Sequence, residues 1–181
     1  DVYVLDTSTV ELGVKNREGK PGLEVKALVE PRLASFQFGR REGKAQLWSK
    51  VTSRTLSPPN DQAAKRTTLK TRWLRKFDTS TDQATEIRLG RGTFGEDPLE
   101  GSLPDLGCNV EWTLVEVPSV TTQWWTFGFE AFAFGQAGPV IELLQRGLAR
   151  TLTALNSRTS NVPNLEPIWL EQSYPAWLKE I

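Results

Sequence analysis

Between residues 10 and 30 the chain reads VELGVKNREGKPGLEVKALVE, an alternation of apolar and polar positions interrupted once. Successive side chains of a strand point to opposite faces. Val10, Leu12 and Val14 therefore share one side, and Glu11, Gly13, Lys15 and Arg17 the other. After GKPG, which carries turn chemistry, Leu23, Val25, Ala27 and Val29 resume the apolar side and leave Glu24 and Lys26 with the charged set. The pattern predicts a hairpin with one apolar and one charged face. A solvated outer surface is the plain reading of that second face.

Residues 31–45 read as a connection ending in the basic cluster GRREGK, and KAQLWSKVTS as a third strand in which Gln46, Trp48 and Lys50 alternate with Leu47, Ser49 and Val51. SPPNDQAAKRTTLKTRWLRKF opens with a proline break and an Asn60 or Asp61 cap, predicting a short helix. Its end, KTRWLRKF, fits a strand that sets Lys70, Arg72, Leu74 and Lys76 against Thr71, Trp73, Arg75 and Phe77; EIRL fits a short edge strand. CNVEWTLVEV and WWTFGFEAFAFG predict a second hairpin, with Asn109, Glu111, Thr113 and Val115 on one face of the first strand and Trp124, Thr126, Gly128 and Glu130 on one face of its return. Trp124, Trp125, Phe127 and Phe129 have the bulk to fill a core. Val140, Leu144, Leu148, Leu152 and Leu155 recur at helical spacing over 138–156, with Arg146 and Arg150 on a solvated side. In the tail, Trp169, Tyr174 and Trp177 suggest docking on the body.

At 181 residues the chain fits a single domain, 1–181, with room for a substantial core. Lys plus Arg equals Asp plus Glu at 22 each, so no global field draws it to nucleic acid, and attraction for anions must be local. No apolar run is long enough to span a bilayer and no signal peptide opens the chain, so a cytoplasmic protein that does not engage membranes is expected. Cys108 is the one cysteine, which excludes an internal disulfide. The absence of histidine excludes Ser-His-Asp and Cys-His mechanisms, an imidazole base and His-rich zinc sites. Methionine is absent as well, so residues are expected upstream of Asp1. Gly90, Gly92 and Gly95 are spaced as in a dinucleotide loop, but Glu96, Asp97 and Pro98 follow them and oppose both a phosphate and a helix start.

Several strands thus carry a cation at two-residue spacing, and others a glutamate. Were the sheet to close into a barrel, one face of every strand would look inward and the charges would line a ligand site. Lys and Arg there would grip phosphate oxygens, and glutamates would hold Mg²⁺ or Mn²⁺.

The order GVKNR, LEVK, LWSK, KTRWLRKF, NVEWTLVEV and FGFEAF resembles the CYTH-like superfamily of triphosphate tunnel proteins, and within it a bacterial branch with a Ser-Tyr-Pro-x-Trp-Leu-like tail. The resemblance implies an α+β fold, a closed or nearly closed antiparallel β-barrel with flanking helices, including one at the C-terminal end. It implies phosphate binding by Lys15, Arg17, Lys26, Lys50, Lys70 and Arg72, and Mg²⁺ or Mn²⁺ binding by Glu111, Glu130 and Glu24, the last being alternatively a neutralising partner of Lys26. The family's opening Glu-x-Glu-x-Lys strand is expected upstream of Asp1; ELGVK imitates it, with Gly13 at the second acidic position, and Gly128 stands where catalytic relatives carry a second acid on the return strand. The function implied is a metal-dependent phosphohydrolase acting on triphosphate or a phosphorylated small molecule. The alternative is a non-catalytic barrel binding an anionic small molecule, followed by an apolar-ligand barrel. The helix at 138–156 would cover one barrel opening or join a homodimer interface.

Overall fold

The alternations over 12–16, 23–30, 69–78, 106–116 and 123–133 become strands in the computed structural model, which describes residues 1–5, 9–17, 22–38, 41–56, 64–87, 104–135, 138–157 and 174–180. A five-stranded antiparallel sheet has the order β4-β3-β2-β1-β5, built from β1 (Val2–Val4), β2 (Leu12–Asn16), β3 (Leu23–Phe38), β4 (Arg41–Ser53) and β5 (Lys65–Thr67). A four-stranded sheet has the order β7-β6-β8-β9, from β6 (Leu69–Asp78), β7 (Thr85–Ile87), β8 (Leu106–Glu116) and β9 (Gln123–Ala133). Helices α1 (Val140–Asn156) and α2 (Tyr174–Glu180) follow. No described helix is long and apolar enough to cross a membrane.

Register fixes which residues share a face. Lys15 opposes both Tyr3 and Glu24, and Gly13 opposes Lys26, which in turn opposes Lys50. In the second sheet Arg72 opposes Thr113, Thr113 opposes Thr126, and Asn109 opposes Glu130. The charged faces read from the sequence are therefore single faces of each sheet. Only Thr68, fully buried, separates β5 from β6, so the chain passes there from one sheet into the other; its N–H donates to the Asp1 carbonyl at 2.8 Å.

The opposite face of the second sheet carries the apolar core. Phe77 and Val110 pack there against Leu155 of α1, joined by Phe127 and Phe129. Gly147 brings α1 close: a Cβ at that position would sit 3.1 Å from Thr79 Oγ1. Arg150, expected on a solvated side, instead donates from Nη1 to the Thr79 carbonyl at 2.8 Å and from Nη2 to Asp82 at 2.7 Å, tying the segment after β6 to the helix.

The expected closed barrel is overturned. The sheets are separate, and β4 forms no described ladder with β9. The cause lies in residues 31–38 and 41–45, which are no loose connection but parts of the paired strands β3 and β4. Register shifts between Leu28 and Glu30 and between Glu30 and Ala34 interrupt the β3–β4 ladder, around Pro31, which has no N–H to donate. Beyond them Phe36 and Phe38 pack on the aromatic side of β9, Phe36 at 5.9 Å from Phe129 and Phe38 at 5.3 Å from Phe127. That side is opposite the one bearing Glu130, so this half of β3 serves the core and not a closing ladder.

Trp125 also departs from expectation. It is 54 % exposed and stacks on Trp73 at 5.5 Å, with Trp112 alongside. The core under α1 reaches only one end of that face. The tail docks as expected: Leu178 is buried and Trp177 meets Trp124 edge-on at 5.3 Å. Trp169, the side chain of Tyr174, the expected helix after Asn60, and Gly90, Gly92 and Gly95 lie outside the described residues.

Candidate functional site

Strand alternation puts Lys15, Glu24, Lys26 and Lys50 on one face of the first sheet, and Lys70, Arg72, Glu111 and Glu130 on one face of the second. Contacts across the gap show that these faces look at each other. Lys26 Nζ donates to Glu130 Oε1 at 3.5 Å, and Lys70 Nζ donates to the Tyr3 hydroxyl at 2.8 Å and lies 3.5 Å from Asp1 Oδ2. All nine residues singled out from the sequence belong to this one charged region, in two neighbourhoods.

Glu24 centres the first. It is 6 % exposed, and Lys15 at 3.3 Å, Arg17 at 2.9 Å and Lys50 at 3.1 Å surround its carboxylate. Burial alone would raise its pKa, but Lys15, the hydrogen bond from Lys50 and the Arg17 charge outweigh burial and hold it down at about 2. Lys15, 9 % exposed, also bonds Asp1 Oδ2 at 3.1 Å. Burial lowers its pKa to about 8, opposed by Glu24 and assisted by Arg17 and Lys26. Arg17 Nε is a buried donor with no acceptor among the described residues.

Lys70 centres the second. Burial, then the charges of Lys15 and Arg72, lower its pKa to about 7, with Glu111 pulling the other way and Lys26 adding to the depression. Arg72 pairs with Glu111 at 3.1 Å, and Thr113 donates to Glu111 at 2.8 Å. Glu130 accepts from Asn109 at 3.5 Å; burial would raise its pKa, but the nearby charge of Lys26 and the Asn109 hydrogen bond lower it. Cys108 is buried on the other face, and desolvation pushes its thiol up to about 11.

Depressed lysines set the pH dependence of stability. A folded-state pKa of about 7 for Lys70 lies below its ordinary 10.5, so from about pH 7 upward the folded chain binds fewer protons than the unfolded one. Stability of the ligand-free protein is expected to rise from pH 7 to 9. Beyond about 9 the raised Cys108 thiol acts in the opposite sense. Urea midpoints at pH 7 and 9 check this; a midpoint that falls over the interval contradicts it.

Among the described residues no group of three or more His, Cys, Asp or Glu side chains comes together, and Glu24, Glu111 and Glu130 each face cations.

Asp1 and Tyr3 are site residues that pattern reading missed. Asp1, Tyr3 and Leu5 alternate with Val2 and Val4, the signal of a strand, but over too few residues to stand out. β1 pairs with both β2 and β5, and so brings Asp1 and Tyr3 to Lys15 and Lys70.

Comparison of the chain with protein-family models, curated proteins and solved structures finds no significant match.

Proposed function

We propose that the facing polar surfaces of the two sheets bind a compact polyanion, a triphosphate or another phosphorylated small molecule, without a resident metal. What carries the reading is the surplus of cations: Lys15, Arg17, Lys26, Lys50, Lys70 and Arg72 against Asp1, Glu24, Glu111 and Glu130. Burying like charges together is costly unless an opposite charge joins them, and the depressed lysines Lys15 and Lys70 register that cost. A polyphosphate held among these cations would offset that cost and supply an acceptor for Arg17 Nε. The order of motifs, which resembles that of the CYTH-like superfamily, supports the same reading. These side chains offer binding and charge neutralisation, with each of Glu24, Glu111 and Glu130 engaged by a cation.

The test is thermal unfolding with inorganic triphosphate, pyrophosphate and citrate in metal-free buffer. At about a hundredfold excess over Kd, binding contributes about 2.7 kcal/mol, which raises Tm by about 5–10 °C for a chain of this size. A Tm unmoved by all three anions removes the proposal. Phosphate release that requires Mg²⁺ or Mn²⁺ and disappears in Glu111→Gln would replace the binder with a hydrolase.

A further inference from the structure

Lys70 is unusual even within this set. Its side chain is 14 % exposed, its Nζ bonds the Tyr3 hydroxyl at 2.8 Å and sits 5.0 Å from the centre of the Tyr3 ring. The charged and titratable groups around it are Asp1 and Tyr3 from the start of the chain and β1, Lys15 from β2, Lys26 from β3, Arg72 from its own strand and Glu111 from β8. An amine desolvated beside other cations is the environment that turns a lysine into a nucleophile toward carbonyl carbon. The same neighbours that suppress its charge would hold an anionic group next to it.

We propose that Lys70 is a nucleophilic amine of this site, and that the ligand class it serves is a carbonyl compound bearing a phosphate or carboxylate, captured through Nζ as an imine. The inference rests on the anion-binding reading above and adds a covalent step to it. The neutral amine attacks the carbonyl carbon, the C–N bond forms, and the carbonyl π pair moves to oxygen. A proton passes from nitrogen to that oxygen, giving a carbinolamine. Loss of the hydroxyl with a second proton, as water, leaves the imine. No oxidant or reductant enters. Tyr3, in hydrogen-bond contact with Nζ, is placed to relay the proton, while Lys15, Arg72 and Lys26 hold the anionic end. With the pKa of Lys70 near 7, about half of its amine is neutral at that pH, against well under one part in a thousand for a lysine at 10.5.

The probes are pyridoxal 5′-phosphate and pyridoxal, an aldehyde with and without a phosphate, applied to the 181-residue chain near neutral pH, trapped with borohydride and located by peptide mass spectrometry. Lys70 is expected to label about tenfold or more faster than the exposed Lys44 and Lys179, the phosphorylated aldehyde to react about tenfold faster than pyridoxal, inorganic triphosphate to protect, and Lys70→Arg to lose the label. The site of modification in the wild-type chain is itself the readout, so a poorly folding variant does not blunt the test. Labelling spread over exposed lysines with Lys70 spared, while triphosphate still raises Tm, overturns the imine proposal alone. Capture of Lys70 by both aldehydes alike, without protection by triphosphate, overturns the phosphate-bearing ligand class and the anion-binding reading with it.

Discussion

Glu24→Ala is expected to lower the unfolding free energy by about 3–5 kcal/mol at neutral pH, the cost of leaving a buried charge without its partner. The carboxylate is nearly inaccessible and touches three cations, of which Lys15 is the most deeply buried. Arg17 and Lys50 are 38 % and 44 % exposed in their side chains, so their share is screened by water and most of the loss falls on Lys15. Adding Lys15→Met to the variant should therefore recover part of the stability, because an apolar chain replaces a buried ammonium that keeps Asp1 but has lost Glu24. The pH dependence has a fixed sign. The folded-state pKa of Glu24, about 2, lies below its ordinary 4.5, so its contribution is complete above about pH 4.5 and is lost as pH falls from there through 2. Urea unfolding of wild type, single and double variants at pH 7 and pH 3 measures all of this. A single variant within about 0.5 kcal/mol of wild type would show that the charges around Glu24 are not coupled.

The two hairpins that carry the charges were legible because alternation is strict where one face is charged and the other apolar, as in Leu12–Asn16 and Leu106–Glu116. A slip of one residue there would exchange every side chain between faces, so the pattern also reveals which residues lie together. Closure was not legible. Whether a sheet curls shut depends on where its ladders break, and the breaks around Glu30 and Pro31 redirect Phe36 and Phe38 to the aromatic side of β9. The alternation of Ala34, Phe36 and Phe38 was present in the sequence and is the signal that could have marked this half of β3 as strand.

The candidate site was legible residue by residue, but its pairing was not. Nothing in the spacing says that Glu24 would gather three cations, or that Glu111 and Glu130, on one face and with Glu111 opposite Gly128, would each turn to a cation. Those contacts depend on the distance between sheets, which no periodicity encodes. Arg150 shows the same limit: its helical position suggests solvent, and its role in holding the Thr79 carbonyl comes from a segment about seventy residues earlier in the chain.

Affinity for triphosphate should depend on both sheets. Lys26 belongs to the first and Arg72 to the second, and each is about 40 % exposed in its side chain, so truncating either should leave the fold intact. Each removes a charge-assisted contact of about 1.5–3 kcal/mol, about 10- to 150-fold in Kd. Each also releases a carboxylate, Glu130 or Glu111, whose uncompensated charge repels the ligand and moves the loss in the same direction. The most direct measurement is titration calorimetry of inorganic triphosphate into wild type, Lys26→Ala and Arg72→Ala in metal-free buffer. A single site in the wild type, weakened at least about tenfold by both substitutions, is the predicted result; no binding by wild type, or weakening by a substitution in one sheet only, would contradict a shared site.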